Sequence, residues 1–152
     1  MAKAGDVALQ PCSISTEDVV FSEATESQLT TVWRLNAEVW ADPLTVEDHV
    51  ERERILSQQP GAGDLWKTWV LTLRSNARVV VASVETFRRS VLVSTNGNCE
   101  KRNGYGIASV FTNPVYRGNH MASLLLSKLK LWLDGDGDGW ISVLYSDIGK
   151  VS

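Results

Sequence analysis

Cysteine is nearly absent from this chain of 152 residues: there are two, Cys12 and Cys99, far apart and with no metal-binding or redox motif around either. That argues against a disulfide scaffold or a thiolate metal site, and a reducing compartment is expected. No sign of charge dominates either. A net charge of −3 and a pI near 5.4 give no electrostatic reason to expect nucleic acid or an anionic membrane as partner. Apolar runs long enough to cross a bilayer are missing, and Met1 to Gln10 hold no continuous apolar segment of the secretory kind, so a cytoplasmic location is expected.

What the chain does have is apolar content, 43% of residues against 22% charged. At this length that suits one core and not two comfortable domains. Residues 1–18 mix small and polar types without periodicity and are expected to be a loose tail, leaving 19–152 as a single domain. Val19 to Glu23 has the composition of a short strand. Thr25, with Gln28 three residues on, forms a capping-box pattern for a helix to about Trp40, whose stripe of Leu29, Val32, Trp33, Ala37 and Trp40 faces a core. Asp42-Pro43 ends it.

A second, charged helix runs from the cap Thr45 to about Gln58, with Asp48–Arg52 and Glu51–Arg54 as pairs on a solvated face. Gln59 to Asp64 is a turn cluster. Thr68 to Leu73 and Val79 to Val93 are rich in β-branched residues and are expected to be strands joined at Ser75-Asn76-Ala77, the second needing a bend or bulge near Thr86 to Arg88. Asn96 to Asn103 is expected to be a polar loop, and Trp140 to Ser146 a last strand.

The stretch that organises the chain is Gly104 to Leu133. A strand, about Tyr105 to Thr112, passes through a Pro-containing turn into Arg117-Gly118-Asn119-His120-Met121-Ala122-Ser123. That segment opens a helix with Met121, Leu124, Leu125, Leu129 and Trp132 at helical spacing. At a helix N-terminus the first amides lack intrahelical partners and the macrodipole is positive, which suits an anionic group such as a pyrophosphate.

In order, Phe111-Thr112, Pro114, Tyr116-Arg117-Gly118, Ala122-Ser123 and Leu125-Leu126 resemble the acetyl-CoA-binding motif of the GNAT N-acetyltransferases. In that motif Arg/Gln-x-x-Gly-x-Gly/Ala follows the fourth strand. Arg117 and Ala122 match its ends, while His120 stands at the middle glycine, where a side chain narrows the approach of main chain to phosphate. Val32 to Glu38, Glu51 to Glu53, Val84 to Arg88, Gly104 to Phe111 and Leu144 to Lys150 are similar, in order, to the fungal lysine N-acetyltransferases within that superfamily.

The resemblance implies an α/β (α+β) fold with a mixed, mostly antiparallel sheet flanked by helices. It also implies that the chain stops before the last helix and closing strands of the family. Acetyl-CoA would be the co-substrate and a small-molecule amine such as lysine the acceptor. Pantetheine would lie along Val110, Phe111 and Thr112, and the pyrophosphate on Arg117, Gly118, Asn119, His120, Met121, Ala122 and Ser123. Glu85 would be the base, directly or through water. By alternation alone it can equally face outward into solvent, since a charge within an apolar strand is costly. The segment between the first two helices borders the acceptor site, giving His49 and Glu51 a lesser claim.

The acid that protonates the leaving thiolate would sit on a helix after the fifth strand, beyond Lys150. A sheet ending at Trp140 to Ser146 would leave an uncovered edge, so homo-oligomers are expected. A CoA-binding or interaction protein without turnover is the alternative. Asp134, Asp136, Asp138 and Gly139 match the start of a calcium loop, but Tyr145 stands where a bidentate Glu belongs, and a flexible acidic loop is the expectation with no metal.

Overall fold

The computed structural model describes residues 12–144. In chain order it has β1 (Val19–Glu23), α1 (Glu26–Trp40), α2 (Val46–Ser57), the short α3 (Ala62–Leu65), β2 (Trp66–Leu73), β3 (Asn76–Thr95), β4 (Asn98–Thr112), α4 (Met121–Asp134) and β5 (Gly139–Leu144). The strands form one sheet in sequence order, antiparallel from β1 to β4 and parallel between β4 and β5. The parallel step requires a crossover, which α4 supplies.

Local chemistry explains most boundaries. Thr25 accepts from the Gln28 amide and Gln28 returns the bond to the Thr25 amide, the reciprocal cap that starts α1. Thr45 caps α2 through the Asp48 amide. Asn96 and Gly97 both have positive φ, 51° and 84°, the geometry of a tight hairpin whose twist matches that of its strands. That turn corrects the expected polar loop, since with it in place residues 98–103 extend β4 and pair along β3.

Alternation sorts side chains to the two faces of the sheet. Trp69, Leu71, Val81, Val84 and Tyr105 pack with Met121, Leu125, Leu129 and Leu133 of α4. On the other face Val70 and Val80 pack with Val32 and Trp33 of α1. No register shift falls at the expected bend or bulge site, Thr86 to Arg88. The β2–β3 register shifts earlier, near Leu71 to Leu73, and the β3–β4 shift falls on the partner strand, where Ser83 pairs with Phe111 but Glu85 with Ala108.

The tail expectation also needs revision. Residues 1–11 and 145–152 lie outside the described residues, with Tyr145 and the end of the expected last strand among them. Residues 12–18 are held against the fold. The Cys12 amide donates to the Val115 carbonyl at 3.0 Å, and Thr16–Asp18 form a helical turn. Small and polar residues gave no periodic signal there, because the contacts that order them are long-range.

Candidate functional site

Strand β4 changes character after Ile107. Its pairing with β5 runs from Asn103 to Ile107 among the described residues. Just beyond, an extra residue enters opposite β3, and Ser109 takes a φ of 53°. Such a bulge leaves a residue out of the ladder and bends the strand. The bulge separates two directions. Val110 packs into the α4-side core, while Phe111, buried, meets Trp40 of α1 with ring centroids 6.1 Å apart. Thr112 is half-buried.

After Thr112 the chain makes one helical turn, Pro114–Tyr116, then a loop in which Gly118 (φ 82°) and His120 (φ 57°) are left-handed before α4 begins. Alternating handedness aims successive amides into a shared concavity. Among the described residues, no hydrogen bond is made by the amides of Gly118, Asn119, His120, Met121, Ala122 or Ser123. The side chains do other things. Arg117 Nη2 donates to Glu38 at 2.7 Å, its Nε donates to the Thr112 carbonyl at 3.2 Å, and the guanidinium lies 5.6 Å from the Phe111 ring centroid. Asn119 accepts from the Ile14 amide at 3.2 Å and donates to the Cys12 carbonyl at 2.8 Å, pinning the incoming chain beneath the turn. Met121 is a core residue, and His120 and Ser123 are exposed. The free hydrogen-bond donors of this stretch are therefore main-chain amides, and Arg117 braces the turn against α1.

Glu85 is 7% exposed, which removes the outward, solvated placement. Its neighbour Val84 belongs to the α4-side core, so Glu85 faces the side of α1 and α2, in register with Thr68 of β2 and with Ala108 at the bulge. Burial pushes its carboxyl up to about 7; the Ser109 side chain works the other way and the Glu53 carboxylate adds to the rise. A buried carboxyl so poised can accept a proton at neutral pH.

His49 is sealed at 1% exposure, with Nε2 3.0 Å from Asn36 Oδ1 and Nδ1 2.8 Å from Arg52 Nη2. Glu51 is exposed and paired with Arg54. Both His49 ring nitrogens are thus engaged within the helix pair, and Glu51 lies in an ion pair on the exposed face of α2. The expected Asp48–Arg52 pair does not form, because Asp48 serves the Thr45 cap and Arg52 turns to Glu53 and His49.

Sequence reasoning missed Ser109, for which no signal exists, and Glu53, whose four-residue spacing from His49 was available. It also missed two indole donors, Trp33 and Trp66, which meet no acceptor among the described residues. Both line a cavity of about 210 Å³ beside Thr68.

The aspartate loop does not gather its carboxylates. Asp134 pairs with Lys130, and the Gly137 carbonyl accepts from the Tyr105 hydroxyl at 2.6 Å. Among the described residues no group of three or more His, Cys, Asp or Glu side chains is placed to hold a metal. No described helix is long and apolar enough to cross a membrane.

No protein-family model matches the chain, and no curated protein matches it. Solved structures do. A GNAT family acetyltransferase from Staphylococcus aureus superposes with a TM-score of 0.62 at 12% identity, covering 89% of this chain and 93% of that one. A possible acetyltransferase from Clostridium difficile gives 0.63 at 20% identity, covering 88% and 82%. An aminoglycoside 6'-N-acetyltransferase from Acinetobacter baumannii gives 0.56 at 17%, covering 87% and 82%. The fold, a five-stranded and mostly antiparallel sheet flanked by helices, is that of the GNAT acetyltransferases.

Proposed function

We propose that this chain is an acetyl-CoA-dependent N-acetyltransferase acting on a primary amine of a small molecule, with lysine or a lysine-like compound as the acceptor implied by the likeness to the fungal enzymes. One observation carries the reading. A bulged β4 delivers the chain into a turn of unpaired amides, Gly118 to Ser123, while a buried carboxyl, Glu85, lies in register with the bulge. That pairing suits a long ligand with a diphosphate at one end and a reacting carbonyl at the other.

The residues fit acetyl-CoA in outline. The amides of the turn would take the pyrophosphate, Val110 to Thr112 would run beside the pantetheine, and the thioester would come to rest near Ser109 and Glu85. Acetyl-CoA supplies the activated acetyl group. Glu85 accepts a proton from the acceptor ammonium, freeing the nitrogen pair that forms the new C–N bond as the C–S bond breaks and sulfur leaves with its electrons. The second proton, shed by the nitrogen as it becomes an amide, must then reach the departing sulfur to give the free thiol of CoA.

That last step favours a second reading. Tyr105 is engaged with the Gly137 carbonyl and the Tyr116 ring is packed into the core, so among the described residues neither tyrosine near β4 stands out as that acid. A CoA-binding protein without turnover is the alternative, and association through the apolar face of β5 belongs with either. The test is release of CoA from acetyl-CoA by the purified protein across a panel of amines that includes lysine. Amine-dependent release is expected; saturable acetyl-CoA binding without release selects the alternative.

A further inference from the structure

Residues 12–18 form a strap that runs from the β4–α4 turn to β1 and is fastened at both ends. At the β1 end the Arg74 amide donates to the Asp18 carbonyl at 2.7 Å, and Arg74 Nε donates to the Glu17 carbonyl at 2.8 Å. Along its length Ile14 packs against the α4-side core. At the turn the Cys12 amide donates to the Val115 carbonyl at 3.0 Å, and the Asn119 side chain makes the remaining joints. Its Oδ1 accepts from the Ile14 amide at 3.2 Å; its Nδ2 faces the carbonyls of Cys12, Tyr116 and Arg117 at 2.8, 3.0 and 3.3 Å. One oxygen toward an N–H and one NH2 toward three carbonyls is a pattern that only a side-chain amide satisfies.

The turn needs such a joint. Gly118 and His120, left-handed at φ 82° and 57°, flank Asn119 on either side. Backbone of that kind persists where its surroundings over-determine it, and for a non-glycine residue it costs about 1–3 kcal/mol. The amides of Gly118 to Ser123 contribute nothing to holding it, since among the described residues they make no hydrogen bond. Within Arg117 to Ser123 two side chains brace the turn over long range. Arg117 does so through an ion pair with Glu38 that is about half exposed on both sides, a kind worth little. Asn119 is half-buried and ties the carbonyls of Tyr116 and Arg117 to a segment more than a hundred residues away in sequence.

We infer that Asn119 and the segment Cys12–Ile14 form a clamp that preorganises the cofactor turn, with Asn119 as a positioning residue, so that closure of the strap and binding of a diphosphate favour each other. This inference rests on the acetyl-CoA reading of the turn and adds to it a segment remote from the motif. A clamp already closed spares the ligand the ordering of the turn. By linkage, a ligand that holds the amides in place tightens the strap by the same factor.

Two measurements with CoA decide it. In wild type, exchange of the Ile14 amide hydrogen is expected to slow about tenfold at saturating CoA. Exchange at Asp138, whose amide is bonded to the Gly135 carbonyl at the far end of α4, changes less than about twofold. In Asn119→Ala the Kd for CoA by calorimetry weakens about tenfold, and in turnover the loss falls on the KM for acetyl-CoA with kcat within about twofold. An Ile14 amide indifferent to bound CoA overturns the inference without any variant. So does an unchanged Kd in a folded Asn119→Ala, and both results leave the cofactor reading standing. Absence of saturable CoA binding by folded wild type overturns the two together.

Discussion

A carboxyl group held near 7 by burial changes charge in the middle of the working pH range, and Glu85 is such a group. As the proposed base it must be ionised to accept a proton. kcat/KM is therefore expected to rise with pH through about 7 and level above it. Glu85→Gln removes that limb and lowers kcat by about a hundredfold or more. Stability moves the opposite way. The folded-state value lies above the ordinary 4.5, so the folded protein holds this proton longer than the unfolded chain. Stability is full below the ordinary value and is lost as pH climbs toward about 7. Glu85→Gln escapes the loss and should gain on the order of 2–3 kcal/mol relative to wild type at pH 8, with the gain shrinking toward pH 5. Thermal melts of both proteins across that range check the sign. A variant that is both slower and more stable at pH 8 is the signature of a strained functional carboxyl; one that is less stable there contradicts the burial argument.

At the scale of elements, the turn between β4 and α4 carries the binding argument, and His120 is its test. A non-glycine residue at φ 57° pays backbone strain, and its side chain stands where the related motif has glycine. His120→Gly is expected to stabilise the fold by about 0.5–1 kcal/mol and to tighten acetyl-CoA, both readable by melts and calorimetry. Weaker binding would mean that the imidazole contacts the ligand. Elements of this kind differ in how far the sequence reveals them. Thr25 and Thr45 announce α1 and α2 because capping is local chemistry, and the β-branched runs announce β2 and β3. The Ser109 bulge was invisible, since it arises from pairing between strands distant in sequence. The roles of Arg117 and Asn119 were legible only as residue types. That Arg117 would brace Glu38 and Asn119 would pin Cys12 and Ile14 depends on partners more than seventy residues away.

For the whole molecule, the sheet's order and the sidedness of its core were within reach of pattern reading, because alternation and helical spacing both reflect burial. What patterns could not give was the packing that buries Glu85 on the side of the sheet away from α4. The last described strand shows the reverse case. Composition marked Trp140 to Ser146 as a strand, and on its described part the structure leaves Trp140, Ile141, Val143 and Leu144 exposed. Sedimentation is expected to show self-association that Trp140→Glu reduces, and a monodisperse monomer at all concentrations would contradict it.

The central claim is that unpaired amides of one turn hold a diphosphate. Its most direct measurement is an acetyl-CoA titration followed by backbone-amide NMR of the intact chain. Saturable shifts centred on Gly118 to Ser123 are expected, extending along Val110 to Thr112. Well-dispersed spectra that stay unchanged at saturating acetyl-CoA, or that shift only elsewhere, would contradict the account.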